Sequence, residues 1–86
     1  MFYIYVIKSL KGKIYTGHTG DLKKRLSEHN SGLCKSTKID KDWRLIYSEE
    51  YKSRSEAMKR EKWLKTGAGR DFIKNIIRGV ESAAAE

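Results

Sequence analysis

The sequence predicts a single α+β domain, in the order hairpin, helix, third strand, two helices. Three observations carry that reading. Two runs of aromatic and β-branched residues, Phe2–Lys8 and Lys13–Gly17, stand on either side of Ser9-Leu10-Lys11-Gly12. Beyond them, cap and turn residues punctuate segments whose apolar positions recur at helical spacing. A chain of 86 residues, with no proline, holds one compact core and no second domain.

The two early runs read as a β-hairpin. Alternation puts Tyr3 and Tyr5 on one face of the first strand and Tyr15 and Gly17 on one face of the second. A loop centred on Leu10, with an odd number of residues, would set Tyr5 directly across from Tyr15, and that register is expected. Thr19-Gly20-Asp21 supplies turn and cap chemistry for a helix carrying Leu22, Leu26 and Leu33, with Arg25 and His29 one turn apart on a flank of that stripe. Asn30-Ser31-Gly32 ends it. Cys34–Asp42 reads as a polar, basic surface loop and Trp43–Tyr51 as the third strand. Ser53-Arg54-Ser55-Glu56 fits a capping box that opens a helix to about Lys65. Thr66-Gly67-Ala68-Gly69 is expected to break it, before a last helix with Phe72, Ile73, Ile76, Ile77 and Val80 on one face. The domain is expected over residues 1–80, with a frayed tail at 81–86.

Charge is the strongest compositional signal. Nineteen Lys+Arg against eleven Asp+Glu give a net charge of +8. Residues 1–38 carry +6 and residues 59–78 carry +5, while residues 39–58 carry −1. Two basic blocks around a neutral one point to a polyanion, with nucleic acid the leading partner and a membrane surface disfavoured. Expected contacts are His18, Lys23, Lys24, Lys35, Lys38, Arg60, Lys65 and Arg70. The lone cysteine, Cys34, excludes an internal disulfide framework and a cysteine-based zinc site. With no recognisable leader segment, a cytoplasmic protein is expected.

Glu61 is the odd residue of the capped helix, because it lies within the arc of Ala57, Met58 and Leu64. A carboxylate there is costly unless it is paired or binds a cation. One reading is an ion pair with Lys59, Arg60, Lys62 or Lys65. The other is a divalent-metal ligand of the kind that holds Mg²⁺ with water and substrate phosphate.

Taken in order, Tyr3-Ile4-Tyr5, Tyr15-Thr16-Gly17, Arg25, His29 and Glu61 resemble the GIY-YIG nuclease superfamily. The resemblance is closest to small stand-alone members related to the N-terminal endonuclease domain of the bacterial excinuclease C subunit. Asp21–Leu26, Glu28–Gly32 and Ser55–Lys65, followed by Gly67–Arg70, carry it, and it spans about residues 2–78. The chain departs from the pattern at Tyr3, where the first motif has glycine, and at Thr16, where the second has a branched aliphatic residue. Asn75 is the only candidate for the family's late asparagine, and the wheel places it on the polar side of the last helix.

The resemblance implies a three-stranded antiparallel sheet flanked by helices, in the order β-β-α-β-α-α. It also implies phosphodiester hydrolysis with one Mg²⁺ or Mn²⁺ ion. Tyr5, Tyr15, Arg25, His29 and Glu61 become the expected catalytic residues, with Glu61 on the metal. Larger members add a DNA-binding module, so a protein partner that supplies substrate specificity is expected here. The expected function is a metal-dependent endonuclease on DNA, branched or damaged DNA included. The alternative is a nucleic-acid-binding module on the same scaffold with little or no catalysis.

Overall fold

A computed structural model describes residues 1–32 and 42–85, with side chains of the last helix to Gly79. Lys35, Lys38 and Cys34 lie outside the described residues, as do Leu33 and the side chain of Val80. Strands β1 (Phe2–Lys8), β2 (Ile14–Thr19) and β3 (Arg44–Tyr51) form one antiparallel sheet in the order β2-β1-β3. Helices α1 (Leu22–Asn30), α2 (Arg54–Leu64) and α3 (Gly67–Ala85) complete the expected α+β order.

The core, expected to be single, is divided by central strand β1 into two clusters through the strand's two-residue period. Ile4 and Val6 are fully buried against Ala57, Leu64 and Ile73 on the α2/α3 face. Tyr5 and Ile7 point the other way, toward Trp43, Tyr15, Leu22 and Leu26 on the α1 face. A strand buried on both sides can be apolar at nearly every position, and Phe2–Ile7 is so.

The hairpin register differs from the expected one. Tyr5 pairs with Gly17, and Tyr15 pairs with Ile7. The turn explains the shift. Gly12 adopts a φ of 91°, its N–H donates to the Ser9 carbonyl, and the Ser9 N–H donates to the Lys13 carbonyl. Ser9 and Lys13 therefore close the loop, which centres it on Lys11 instead of Leu10. Parity is unchanged, so Tyr5 and Tyr15 still share a face, as diagonal neighbours with ring centroids 6.2 Å apart.

Caps define the helices where expected. Asp21 accepts from the Lys24 N–H at 3.1 Å, and Ser53 accepts from the Glu56 N–H at 3.3 Å. Gly67–Gly69, expected to interrupt the chain, instead form the first turn of α3; only Lys65 and Thr66 separate the two helices. Thr66 accepts the Gly69 N–H on its hydroxyl and the Arg70 N–H on its carbonyl. The glycine at 69 serves close approach: a Cβ there would lie 2.2 Å from the Trp63 carbonyl oxygen and 2.4 Å from Leu64 Cα. On α3, Ile73 is buried, Phe72, Ile76 and Ile77 are half-buried, and Asn75 is exposed as the wheel predicts. The helix continues to Ala85, through most of the segment read as a tail.

Candidate active site

Strand β1 delivers Tyr5 to the α1 face with only 2% of its surface exposed. Its ring crosses Gly17 so closely that a Cβ there would sit 2.6 Å from the tyrosine oxygen. Helix α1 then brings Arg25 and His29, one turn apart, to that same oxygen. Arg25 Nε donates to it at 3.3 Å, and His29 Nε2 lies 2.8 Å away. The arginine can only donate, so the hydroxyl oxygen accepts from it, and the hydroxyl donates its proton to His29 when the imidazole carries its own proton on Nδ1. Burial, helped by the Arg25 charge and opposed by Glu28, pushes the His29 pKa below its ordinary value of 6.5. The fully buried ring is packed by Tyr15 at 4.9 Å and Trp43 at 6.4 Å between centroids. Asn30 secures this end of α1, exchanging two hydrogen bonds with the backbone of Trp43 at 2.7 and 3.1 Å.

Arg25 and Tyr15 reach solvent, whereas Tyr5 and His29 are enclosed. The first pair can meet a ligand; of the second, Tyr5 holds Arg25 at Nε and His29 holds the Tyr5 hydroxyl. Arg25 also lies 3.4 Å from Glu28.

Glu61 belongs to a second cluster. Its Oε1 is 3.1 Å from His18 Nδ1, and its Oε2 is 3.7 Å from Lys65 Nζ. Its side chain is 20% exposed and lines a hollow of about 330 Å³ with Met58, Lys59 and Lys62. Because β2 alternates, His18 and Thr16 face α2 and α3, while Tyr15 and Gly17 face α1. The sheet thus lies between Glu61 and the Tyr5–Arg25–His29 chain. Strand β2 is an edge strand, so the two clusters flank one open edge.

The expected basic contacts divide. Lys23, Lys24, Lys65 and Arg70 are exposed, and His18 is half-buried beside Glu61. Arg60, expected on nucleic acid, is instead committed to Glu49: Nε donates to Oε1 at 2.9 Å and Nη2 to Oε2 at 3.1 Å. Its guanidinium also stacks over the Trp63 and Phe72 rings, 4.5 and 5.1 Å from their centroids. Tyr47 and Tyr51 donate their hydroxyls to the same carboxylate. Burial opposes ionisation of Glu49, but the two tyrosines and Arg60 outweigh it and hold its pKa below the ordinary 4.5. Burial and the same carboxylate push Tyr51 up to about 12. This network bolts β3 to α2. Sequence reading missed it; its signal was an acid alternating with two tyrosines along one strand face.

Residues 1–72 match the GIY-YIG catalytic domain family. A UPF0213 protein of Staphylococcus saprophyticus is 41% identical over 78 residues, which cover 90% of this chain and 95% of that protein. One from Staphylococcus epidermidis is 38% identical over the same shares. The solution NMR structure of a UPF0213 protein from Bacillus halodurans aligns with a TM-score of 0.53 at 29% identity, covering 88% of this chain and 85% of that one. The chain therefore belongs to the GIY-YIG nuclease superfamily and, within it, to the small stand-alone UPF0213 proteins. Among the described residues, no helix is long and apolar enough to cross a membrane.

The His29 environment has a consequence for stability. The folded state disfavours the protonated ring, so the unfolded chain takes up the proton first as pH falls. His29's contribution is full above the unfolded value near 6.5 and declines below it, toward the lower folded value. Chemical denaturation from pH 8 to 5 is expected to show that decline in the native protein. It should be absent from His29→Gln, and an identical decline in the variant would refute the assignment.

Proposed function

We propose that this protein is an endonuclease that hydrolyses phosphodiester bonds in DNA, branched or damaged DNA included, with help from a divalent cation. The observation that carries the reading is the hydrogen-bonded chain from Arg25 through Tyr5 to a buried His29, beside an edge strand whose other face sets His18 against Glu61 of α2. Arg25, fixed at Nε by Tyr5, can fork onto a phosphate and stabilise the charge that builds as the bond breaks. Tyr15 is the tyrosine that reaches solvent, and it is placed to hold the attacking water or to relay its proton. Tyr5 and His29 are positioning residues.

The residues fit a hard cation. No group of three potential ligands gathers among the described residues, but Mg²⁺ commonly takes one or two carboxylates and completes its shell with water and phosphate. Glu61, partly exposed and next to His18, offers one such carboxylate. When bound, the ion would supply Lewis-acid polarisation of a phosphoryl oxygen.

One observation favours the second reading, a binding module with little catalysis: the sheet stands between Glu61 and Tyr5. A cleavage assay on single-stranded, duplex and branched DNA, with Mg²⁺ or Mn²⁺ and with chelator, tests both. Metal-dependent cleavage is expected. Cleavage unaffected by chelator would remove the metal role, and binding without cleavage on every substrate would establish the module.

A further inference from the structure

Two hollows lie along β2 on the face toward α2 and α3, one near each end of the strand. Near its C-terminal end, Phe2, His18, Thr19, Gly20 and Arg54 line a hollow of about 270 Å³. Near its N-terminal end is a groove of about 340 Å³. Ile14, Leu64, Ile73 and Ile77 make its floor; Lys65, Arg70 and Lys74 stand on its rim. The His18–Glu61 pair borders the first hollow through His18, and Lys65, paired with Glu61, lines the second. Among the described residues, no acid pairs with Arg54, Arg70 or Lys74. The rise from Ile14 to Thr19 is about 17 Å, roughly five nucleotide steps of a stacked strand.

An apolar floor inside a cationic rim matches a ligand with a flat apolar face and anionic neighbours. A continuous duplex does not provide that, because its bases are stacked inward and only phosphates and polar groove edges face the protein. An unpaired nucleotide does: its base can lie on the isoleucines while adjoining phosphates meet the cations.

We propose that an unpaired stretch of nucleic acid runs along β2 across Glu61. Arg54 holds a phosphate on one side, and the Ile14–Ile73–Ile77 groove seats a base on the other. This rests on the nuclease reading and names its substrate class: strands unpaired beside the cleaved bond, such as flaps, bubbles and free single strands. Arg54 and Lys74, outside the positions expected from sequence, become substrate contacts.

Equilibrium binding of a short labelled oligonucleotide in chelator, followed by fluorescence anisotropy, tests the path without cleavage. Single strand should bind about tenfold tighter than blunt duplex of the same length, the worth of burying roughly 55 Å² of apolar surface in the groove. Ile14→Gln changes no charge and alters a residue already 40% exposed, so the fold should survive. It should abolish the preference and leave duplex affinity unchanged. Arg70→Ala/Lys74→Ala should lower the single-strand slope of log K against log salt by about 1.4. Equal affinity for both forms would overturn the inference, as would Ile14→Gln weakening both alike. So would capture of anionic phospholipid vesicles through Arg70 and Lys74 with no single-strand preference. Cleavage without a groove-dependent preference would defeat this inference alone; the preference without cleavage would defeat the nuclease reading alone.

Discussion

Glu61→Gln is expected to lower cleavage by at least about 10²-fold while the protein stays folded. Glutamine keeps the size of the side chain and can still accept from His18, but it loses the charge that attracts a cation. The ion pair with Lys65, at 3.7 Å and on the surface, is worth at most about 1 kcal/mol. For a domain of this size the melting temperature should therefore move by less than about 8 °C. Metal-free nucleic-acid binding should persist or tighten, because a negative charge has left a chain of net charge +8. Melting temperature, single-turnover cleavage and binding on the same preparation decide the matter. A clearly destabilised Glu61→Gln protein with full activity would show that the carboxylate serves the fold alone.

Arg25→Ala is expected to lower cleavage by about 10²–10³, the effect of removing one charge contact to the transition state, roughly 2.7–4 kcal/mol. Its binding loss should be modest, since the remaining bases still meet the phosphates. Lysine should not restore activity. Its single ammonium cannot both donate to the Tyr5 oxygen, as Arg25 Nε does at 3.3 Å, and present a planar fork to a phosphate. Single-turnover rates of the two variants check this. Full activity in Arg25→Ala, or full rescue by Arg25→Lys, would move the charge-stabilising role elsewhere. Tyr5→Phe gives a supporting comparison: it keeps the ring over Gly17 but removes the hydroxyl's hydrogen bonds to Arg25 and His29, so its rate should fall with binding nearly intact.

Much of the fold was legible in local chemistry. Asp21 and Ser53 are caps that act within a turn of themselves, so α1 and α2 begin where their side chains dictate. The parity of the hairpin loop was enough to put Tyr5 and Tyr15 on one face, and the spacing of Arg25 and His29 was enough to make them neighbours. These are short-range periodicities, of two residues along a strand and 3.6 along a helix, written into every few residues.

Tertiary structure decided what those periods leave open. Gly12, with its positive φ, moved the hairpin by two residues and placed Tyr5 across Gly17, where only hydrogen leaves room for the ring. Gly69 looked like a helix breaker and proved to be the point where α3 touches the end of α2. Arg60 was expected as a phosphate contact, but Glu49, eleven residues away on another element, takes the Nε and Nη2 edge of its guanidinium. Glu61 is the sharpest case. A helical wheel says that its side of α2 turns toward the body of the protein, but not which face of the sheet the helix covers. That choice depends on the chain's path between elements, and here it set Glu61 beside His18, with the sheet between it and the tyrosine it was expected to join.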